Sequence, residues 1–284
     1  MNNADLFHSN VENQWCPGCP NFKILEAYKK ALVKMGKPPH DICIVSGIGQ
    51  AAKLPHYINC NFFNGLHGRA LPVAQGIYAA NPKLTTIVAT GDGDCYGEGG
   101  NHLIHAILRN PDITAIVHNN QVYALTKGQA SPTTPIGQTR ALQIKGVQKH
   151  SINPVALAIA NNCGFVARGY ALEVDHLAGL IEEGISYKGF SLIDVIQPCI
   201  TWGTLPASWC RENIYKTDNR YDPTDKTTAL ENAVSTSEKI PIGVLYRAEP
   251  ANIFASRYHD AFPDTPMPEM PPAGADTIRR LLAG

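Results

Sequence analysis

An excess of charge of either sign is missing from these 284 residues: 24 Lys and Arg stand against 24 Asp and Glu, a formal net charge of +0. Broad electrostatic attraction to nucleic acid or to an anionic membrane needs a surplus of basic groups and is not expected. Charged side chains of both signs make up only 17% of the chain, so part of the surface is expected to be covered by partners. No apolar run reaches the roughly 18 residues that a membrane span requires. The opening MNNADLFHSNVENQ lacks the basic and apolar stretches of a secretory signal, and a cytoplasmic protein is the default expectation. In that reducing compartment the 8 cysteines read as thiols or metal ligands rather than disulfides. An internal repeat is also missing.

What is present is an alternation. Short apolar runs at 42–45, 84–89, 113–117 and 190–196, with a further candidate at 243–246, have the Val- and Ile-rich character of strands covered on both faces. Helical patterns lie between them at 22–35, 71–80, 101–109, 155–162 and 174–187. Asn153-Pro154 is a helix start, with an Asn cap and Pro at the first position. The fold class that follows is α/β, a doubly wound and mostly parallel sheet. We expect one domain over 1–219 and an extended, Pro-rich C-terminal arm over 220–284, which contains FPDTPMPEMPPAG.

In such sheets ligands sit beyond the carboxyl ends of the strands. The unusual residues gather there: Gly47-Ile48-Gly49, Gly91-Asp92-Gly93-Asp94, Asn119-Asn120 and Pro198-Cys199. Gly-Asp-Gly alone is a common turn. Joined to Asn-Asn after the next strand, it makes chemical sense as a magnesium diphosphate site. Magnesium takes oxygen ligands and usually shares them with phosphate. Asp92 offers a carboxylate, Asn120 a neutral amide oxygen, and a nearby backbone carbonyl, that of Val122, a third ligand. The glycines let backbone N–H groups approach phosphate, and Gly97, Gly99 and Gly100 are read as opening a helix whose N-terminus favours anions.

Gly-Asp-Gly followed at this distance by Asn-Asn resembles the thiamine diphosphate signature. The longer strings WCPGCP (15–20), SGIG (46–49), LHGRALPVA (66–74), GDGD (91–94), GGNH (99–102) and NNQVYALTKGQASPT (119–133) resemble the β subunit of the 2-oxoacid:ferredoxin oxidoreductases, collinearly over about residues 15 to 215. The resemblance implies the thiamine diphosphate-binding fold, with thiamine diphosphate and Mg2+ as cofactors and Asp92, Asn120 and the Val122 carbonyl as metal ligands. It implies Ile48, Gly49, Gln50, His67, Gly68, Arg69, Gly91, Gly93, Asp94, Leu125 and Thr126 around the cofactor. His67 and Arg69 can donate to anionic oxygens. Lys53 matches a position linked to the carboxylate of the 2-oxoacid, and Lys127 is a second cation beside the site. With His67 these are the candidate catalytic residues.

The cysteines both fit and break the family pattern. Cys16 and Cys19 form a Cys-x-x-Cys pair with no second pair, which argues against zinc. The resemblance makes Cys16, Cys19 and Cys199 ligands of a 4Fe-4S cluster. The family's third ligand follows Ser-Gly-Ile-Gly, and here that position is Gln50. Three readings stand: another cysteine completes the set, with Cys60 nearest in sequence; three cysteines act with an unusual fourth ligand; or the cluster is labile or absent. Pro20 also replaces the family's usual glycine. Cys43 and Cys163 read as core thiols.

The activity implied is oxidative decarboxylation of a 2-oxoacid, pyruvate or 2-oxoglutarate, with coenzyme A. It gives acyl-CoA and CO2, passes electrons through the cluster to ferredoxin, and can run in reverse. No carboxylate in this chain is a clear activator of the cofactor's aminopyrimidine; in the family it comes from the α subunit, so the chain is expected to act only with that partner, in a dimer of αβ heterodimers. Nucleic acid and membrane are not expected as partners. Two competing readings are a thiamine diphosphate enzyme without a cluster and a non-catalytic binding subunit.

Overall fold

The computed structural model describes residues 6–140, 142–235, 239–251, 254 and 266–283. The strands are β1 (Ile42–Ser46), β2 (Asn61–Asn64), β3 (Thr85–Gly91), β4 (Ile113–Asn119), β5 (Val122–Tyr123), β6 (Gln129–Ala130), β7 (Phe165–Tyr170), β8 (Ser191–Ile196), β9 (Ile214–Lys216) and β10 (Ile240–Arg247). All but β5 and β6, which pair as a small antiparallel hairpin, form one eight-stranded sheet of order β2-β1-β3-β4-β8-β7-β10-β9. Every ladder from β2 across to β7 is parallel, while β10 runs antiparallel to β7.

Helices cover both faces: α1 (Asn21–Lys34), α2 (Ala70–Ala80), α3 (Gly100–Arg109), α4 (Pro154–Ala160), α5 (Val174–Ser186), α6 (Ala207–Asn213) and α7 (Lys226–Val234). The period-two alternation of the strands sorts their side chains. Ile42 and Ile44 pack with Tyr28 and Leu32 of α1 and with Leu177 and Ile181 of α5. Cys43 and Val45 point the other way, into a core built with Ala74 of α2, Leu103 of α3, Val155 of α4 and Ala229 of α7. This double cover is why β1, β4 and β8 are buried along their whole length and read as unbroken apolar runs. Asn153 caps α4 by accepting from the Ala156 N–H at 3.1 Å.

Three features differ from the expectation. β7 is a central strand, but its apolar run is broken by Arg168 and Gly169, and its Arg is held by the buried Asp194 on β8 at 3.7 Å. The second is the extended arm after residue 220, which is corrected. α7 packs on α4, and β10 buries Ile242, Leu245 and Tyr246 as a strand of the main sheet, so the domain continues beyond 219. Further on, a 3₁₀ turn (Met267–Glu269) and a helix (Ala275–Leu282) follow; residues 255–265, which include the start of the Pro-rich stretch, lie outside the described residues. Third, the helix expected to open at Gly97 to Gly100 starts earlier, as a π-helical turn (Gly93–Glu98) that runs into α3. No helix among the described residues is long and apolar enough to cross a membrane.

The topology fixes where a ligand can sit. From β1 the chain moves outward to β2, then crosses back over β1 to β3 and on to β4. Strand order therefore reverses between β1 and β3. The connections leaving those two carboxyl ends diverge, and a crevice opens between them.

Candidate functional site

The crevice is a cleft of about 540 Å³. The end of β1 supplies Ile48, Gly49 and Gln50, and the end of β3 supplies Gly91, Asp92, Gly93 and Asp94. Asn120 follows β4, with Val122, Leu125 and Thr126 from the hairpin beyond it; His67 enters from the loop before α2. Sequence positions spread over some eighty residues thus share one wall.

Asp92 is 2% exposed. Ser131 Oγ and Thr133 Oγ1 both donate to its Oδ2, each at 2.6 Å. Burial nevertheless dominates and pushes its carboxyl up to about 6, against the two hydroxyls that favour the charged form. A buried carboxylate held at such a value is poised to exchange its proton for a cation. Asn120 Oδ1 accepts from the Val122 N–H at 3.1 Å, which fixes the amide at the lip of the cleft. One acid, one neutral amide oxygen and a backbone carbonyl make an all-oxygen donor set suited to Mg2+ beside a diphosphate. Gly93 is required by close approach: a Cβ there would run into the ring of Tyr123.

Asp94, although it lines the cleft, works mainly as a tie. Its Oδ1 accepts from the Gly68 N–H at 2.6 Å and the Ile48 N–H at 3.3 Å and meets His67 Nδ1 at 2.9 Å; its Oδ2 accepts from Thr90 Oγ1 at 2.6 Å. The carboxylate therefore joins the end of β1, the end of β3 and the loop ahead of α2. Gly47 is the glycine this packing demands, since a Cβ at that position would collide with the Asp94 carboxylate.

The other expected residues stand around this centre. Gly68, at φ +71°, packs so closely on Glu98 that a Cβ there would meet its backbone, and it reaches the cleft only through Asp94. Arg69 is exposed and engages His102. Lys53 is half-buried on the 3₁₀ segment Ala51–Tyr57, one turn beyond Gln50, and Lys127 is exposed at φ +79° just after Thr126; neither lines the cleft.

A second cavity backs onto the first. Cys16, Cys19 and Cys199 line it together, with Trp15 and Trp202 as walls. Gln50, Asn120 and Ala124 line both cavities, so the three thiols are one side-chain layer from the cleft. The Cys19 N–H bonds the Cys16 carbonyl at 2.9 Å, a tight turn that brings the pair to one side. Thr201 Oγ1 donates to Cys16 Sγ at 3.4 Å and Gln197 Nε2 to Cys19 Sγ at 3.8 Å. Burial raises the Cys19 thiol, with the neighbouring Cys199 and Cys16 adding to the shift. The loop of Cys199 is tied to the cleft: its N–H donates to Thr204 Oγ1, which in turn donates to the Asn120 carbonyl at 2.7 Å. No group of three His, Cys, Asp or Glu among the described residues is tight enough for a single metal ion. An iron–sulfur cluster makes a different demand, since its cysteines bind separate irons around an inorganic core. Three thiols around one cavity, two of them receiving side-chain hydrogen bonds, fit that group.

Cys60, the cysteine nearest in sequence, is not near this cavity. It lies against Cys43 at the start of β2, with its thiol pushed up to about 12 by burial. The structure also supplies residues the sequence reading passed over. Ser131 and Thr133 lie inside the SPT string but were marked by nothing except two hydroxyls. Asn119 bridges Thr133 to Asp194, accepting from the former at 2.8 Å and donating to the latter at 3.1 Å. His118 is buried against the cleft with Nδ1 2.8 Å from Asn21 Oδ1, and burial pushes it down to about 3, so it stays neutral.

The family described as "Thiamine pyrophosphate enzyme, C-terminal TPP binding domain" matches residues 45–195, and the family of the C-terminal part of the pyruvate ferredoxin oxidoreductase beta chain matches 199–261. The β subunit of 2-oxoacid:ferredoxin oxidoreductase 1 of Aeropyrum pernix is 42% identical over 84% of this chain and 79% of its own length. The β subunit of the 2-oxoacid:ferredoxin oxidoreductase of Saccharolobus solfataricus is 42% identical over 88% of this chain and 87% of its own. Among solved structures, a chain of the 2-oxoglutarate:ferredoxin oxidoreductase from Magnetococcus marinus, with 2-oxoglutarate, coenzyme A and succinyl-CoA bound, superposes with a TM-score of 0.90 at 28% identity, covering 99% of this chain and 96% of that one.

Proposed function

Because this chain belongs to the thiamine diphosphate-binding β subunits of the 2-oxoacid:ferredoxin oxidoreductases, we propose that its cleft grips the diphosphate of thiamine diphosphate through Mg2+, held by Asp92, Asn120 and the Val122 carbonyl. The enzyme class oxidatively decarboxylates a 2-oxoacid with coenzyme A, giving acyl-CoA and CO2 and reducing ferredoxin, or runs in reverse. Bound thiamine diphosphate supplies the electron sink for the charge left when CO2 departs. The chain's own part is to hold and screen. Asp92 would hold the metal as a carboxylate, and Asn120 would add an oxygen without a second negative charge. His67, Gly68, Arg69 and Asp94 shape the diphosphate side, and Ile48, Gly49, Leu125 and Thr126 the thiazolium side. Lys127, next to the lining Thr126, and Lys53, two residues beyond the lining Ala51, are the cations that would meet the carboxylate of the 2-oxoacid once the partner closes the site.

Cys16, Cys19 and Cys199 would hold a 4Fe-4S cluster, which would supply a one-electron carrier between the cleft and ferredoxin. The observation that carries this reading is the shared wall: Gln50, Asn120 and Ala124 belong to both cavities. The α subunit is the partner, arranged with this chain as a dimer of αβ heterodimers in the cytoplasm. Support for a covering partner comes from the cleft mouth, where Ile48 and Leu125 are exposed beside a 75% exposed Leu66. The substrate is a 2-oxoacid such as pyruvate or 2-oxoglutarate.

The test is the complex of this chain with its α subunit, prepared anaerobically. It is expected to carry thiamine diphosphate and iron and to reduce a viologen dye only when both a 2-oxoacid and coenzyme A are added. Asp92→Ala is expected to lose bound thiamine diphosphate. A complex inactive with every 2-oxoacid tried overturns the reading.

A further inference from the structure

Beside its three thiols the cysteine cavity is lined by the polar side chains of Asn21, Gln50, Asn120, Gln197 and Thr201. All eight cysteines lie among the described residues, and of these only Cys16, Cys19 and Cys199 line the cavity. Cys43, Cys95, Cys163 and Cys210 are buried elsewhere, and Cys60 sits against Cys43. Of the polar lining side chains, Gln50 is the one with a side-chain oxygen, Oε1, that is buried with no hydrogen-bond partner among the described residues. A buried, unpaired carbonyl oxygen is costly unless something in the cavity engages it. Its backbone is pinned, because Trp15 Nε1 donates to the Gln50 carbonyl at 2.7 Å. The Trp15 ring is itself fixed edge-on between Phe22 and Tyr57.

Resting on the reading that this cavity takes a 4Fe-4S cluster, we propose that the cluster is bound by three cysteines, and that its fourth iron faces the Gln50 amide and is exchangeable. A neutral amide oxygen is a hard, weak ligand, whereas the other three irons have thiolates. Two of those thiolates also receive hydrogen bonds, from Thr201 and Gln197, which stabilise negative charge on sulfur. The four irons are therefore unequal. On oxidation, the doubly charged four-iron core gives one electron to the oxidant. The triply charged core then releases one ferrous ion from the amide side and leaves a singly charged 3Fe-4S core on the three thiolates. Added ferrous ion and one electron from a reductant reverse the change. Because Gln50 also lines the cofactor cleft, the labile corner is the one turned toward the site of decarboxylation.

The experiment uses the αβ complex, reconstituted anaerobically and treated with ferricyanide as the oxidant, with electron paramagnetic resonance and iron analysis as the readouts. The wild-type complex is expected to develop a three-iron signal and to lose one iron per cluster, both reversed by ferrous ion with dithionite. Gln50→Cys, which places a thiol on the same pinned backbone, is expected to lose the three-iron signal while it keeps its iron. A wild-type cluster that keeps all its iron through oxidation, with no three-iron signal, overturns this inference and leaves the cluster reading in place. Iron-free complex from strictly anaerobic preparation overturns the cluster reading itself.

Discussion

Thr133 Oγ1 stands 2.6 Å from Asp92 Oδ2 and 2.8 Å from Asn119 Oδ1. A hydroxyl has one proton and cannot donate to both oxygens at once. With Asp92 protonated, the acid donates to Thr133 and Thr133 donates to Asn119. With Asp92 charged, the hydroxyl turns to the carboxylate. Asn119 is anchored on its other side by the buried Asp194, which also accepts from Tyr96 at 2.9 Å. The hydroxyl is thus the hinge between the proposed metal ligand and a fixed polar network behind it.

The buried Asp92 makes the protein free of cofactor less stable above the point where it ionises. Its folded value is raised to about 6 from an ordinary 3.8. The sign follows: the unfolded chain ionises first, so stability is lost as pH rises from about 4 to 6 and stays lost above, by on the order of 3 kcal/mol. Asp92→Asn, free of cofactor, is expected to be more stable than wild type at pH 7, with the gap closing by pH 4. Thermal unfolding of both proteins across that range checks it, and a gap independent of pH rules it out.

Below that folded value the proton on Asp92 must leave when Mg2+ arrives. Below pH 6 the apparent affinity for Mg2+, at saturating thiamine diphosphate, is expected to fall by up to about tenfold per pH unit relative to its plateau. Calorimetry in two buffers of different ionisation enthalpy reads the proton release directly. Binding that releases no proton at pH 5.5 contradicts the assignment of Asp92 as ligand.

Removing the hinge hydroxyl loosens the ligand without touching the metal. Thr133→Val is expected to weaken binding of magnesium thiamine diphosphate by about 10- to 100-fold, the usual cost of losing an outer-shell partner. Thr133→Ser is expected to recover most of it. Equal affinities for all three proteins, measured by quenching of intrinsic fluorescence, remove Thr133 from this role.

Asp94 ties three segments, so its loss is a folding defect before it is a binding defect. Asp94→Ala strands the Gly68 and Ile48 N–H groups and the Thr90 hydroxyl and is expected to cost roughly 3–5 kcal/mol. Gly47→Ala is expected to act in the same direction, since the new methyl collides with that carboxylate. Denaturant unfolding of the two variants checks both; a loss below about 1 kcal/mol for each is incompatible with the tie.

Much of the site was legible because its markers are local. Gly91-Asp92-Gly93 and Asn119-Asn120 each follow an apolar run, and a parallel sheet puts such ends on one edge. The Thr133–Asp92 contact was not legible: it spans 41 residues and joins a loop to a strand end. β7 was missed because Arg168 interrupts its pattern, and only a buried partner on the next strand, Asp194, makes an arginine tolerable there. The start of the helix after Gly93 was misplaced because glycines suggest a loop, whereas the π-helical turn uses them for close contact with Tyr123 and Pro132.

Residue order alone determined the parallel α/β class, the acid–amide pair at neighbouring strand ends, and the missing cysteine at position 50. Those are matters of period, turn chemistry and side-chain identity within short windows. Only the folded chain decided that β10 enters the sheet, that Ser131 and Thr133 hold Asp92, and that Cys16, Cys19 and Cys199 meet Gln50 on the far side of the cofactor wall. Such meetings depend on how whole strands and helices pack across the sheet, and no local pattern carries that information.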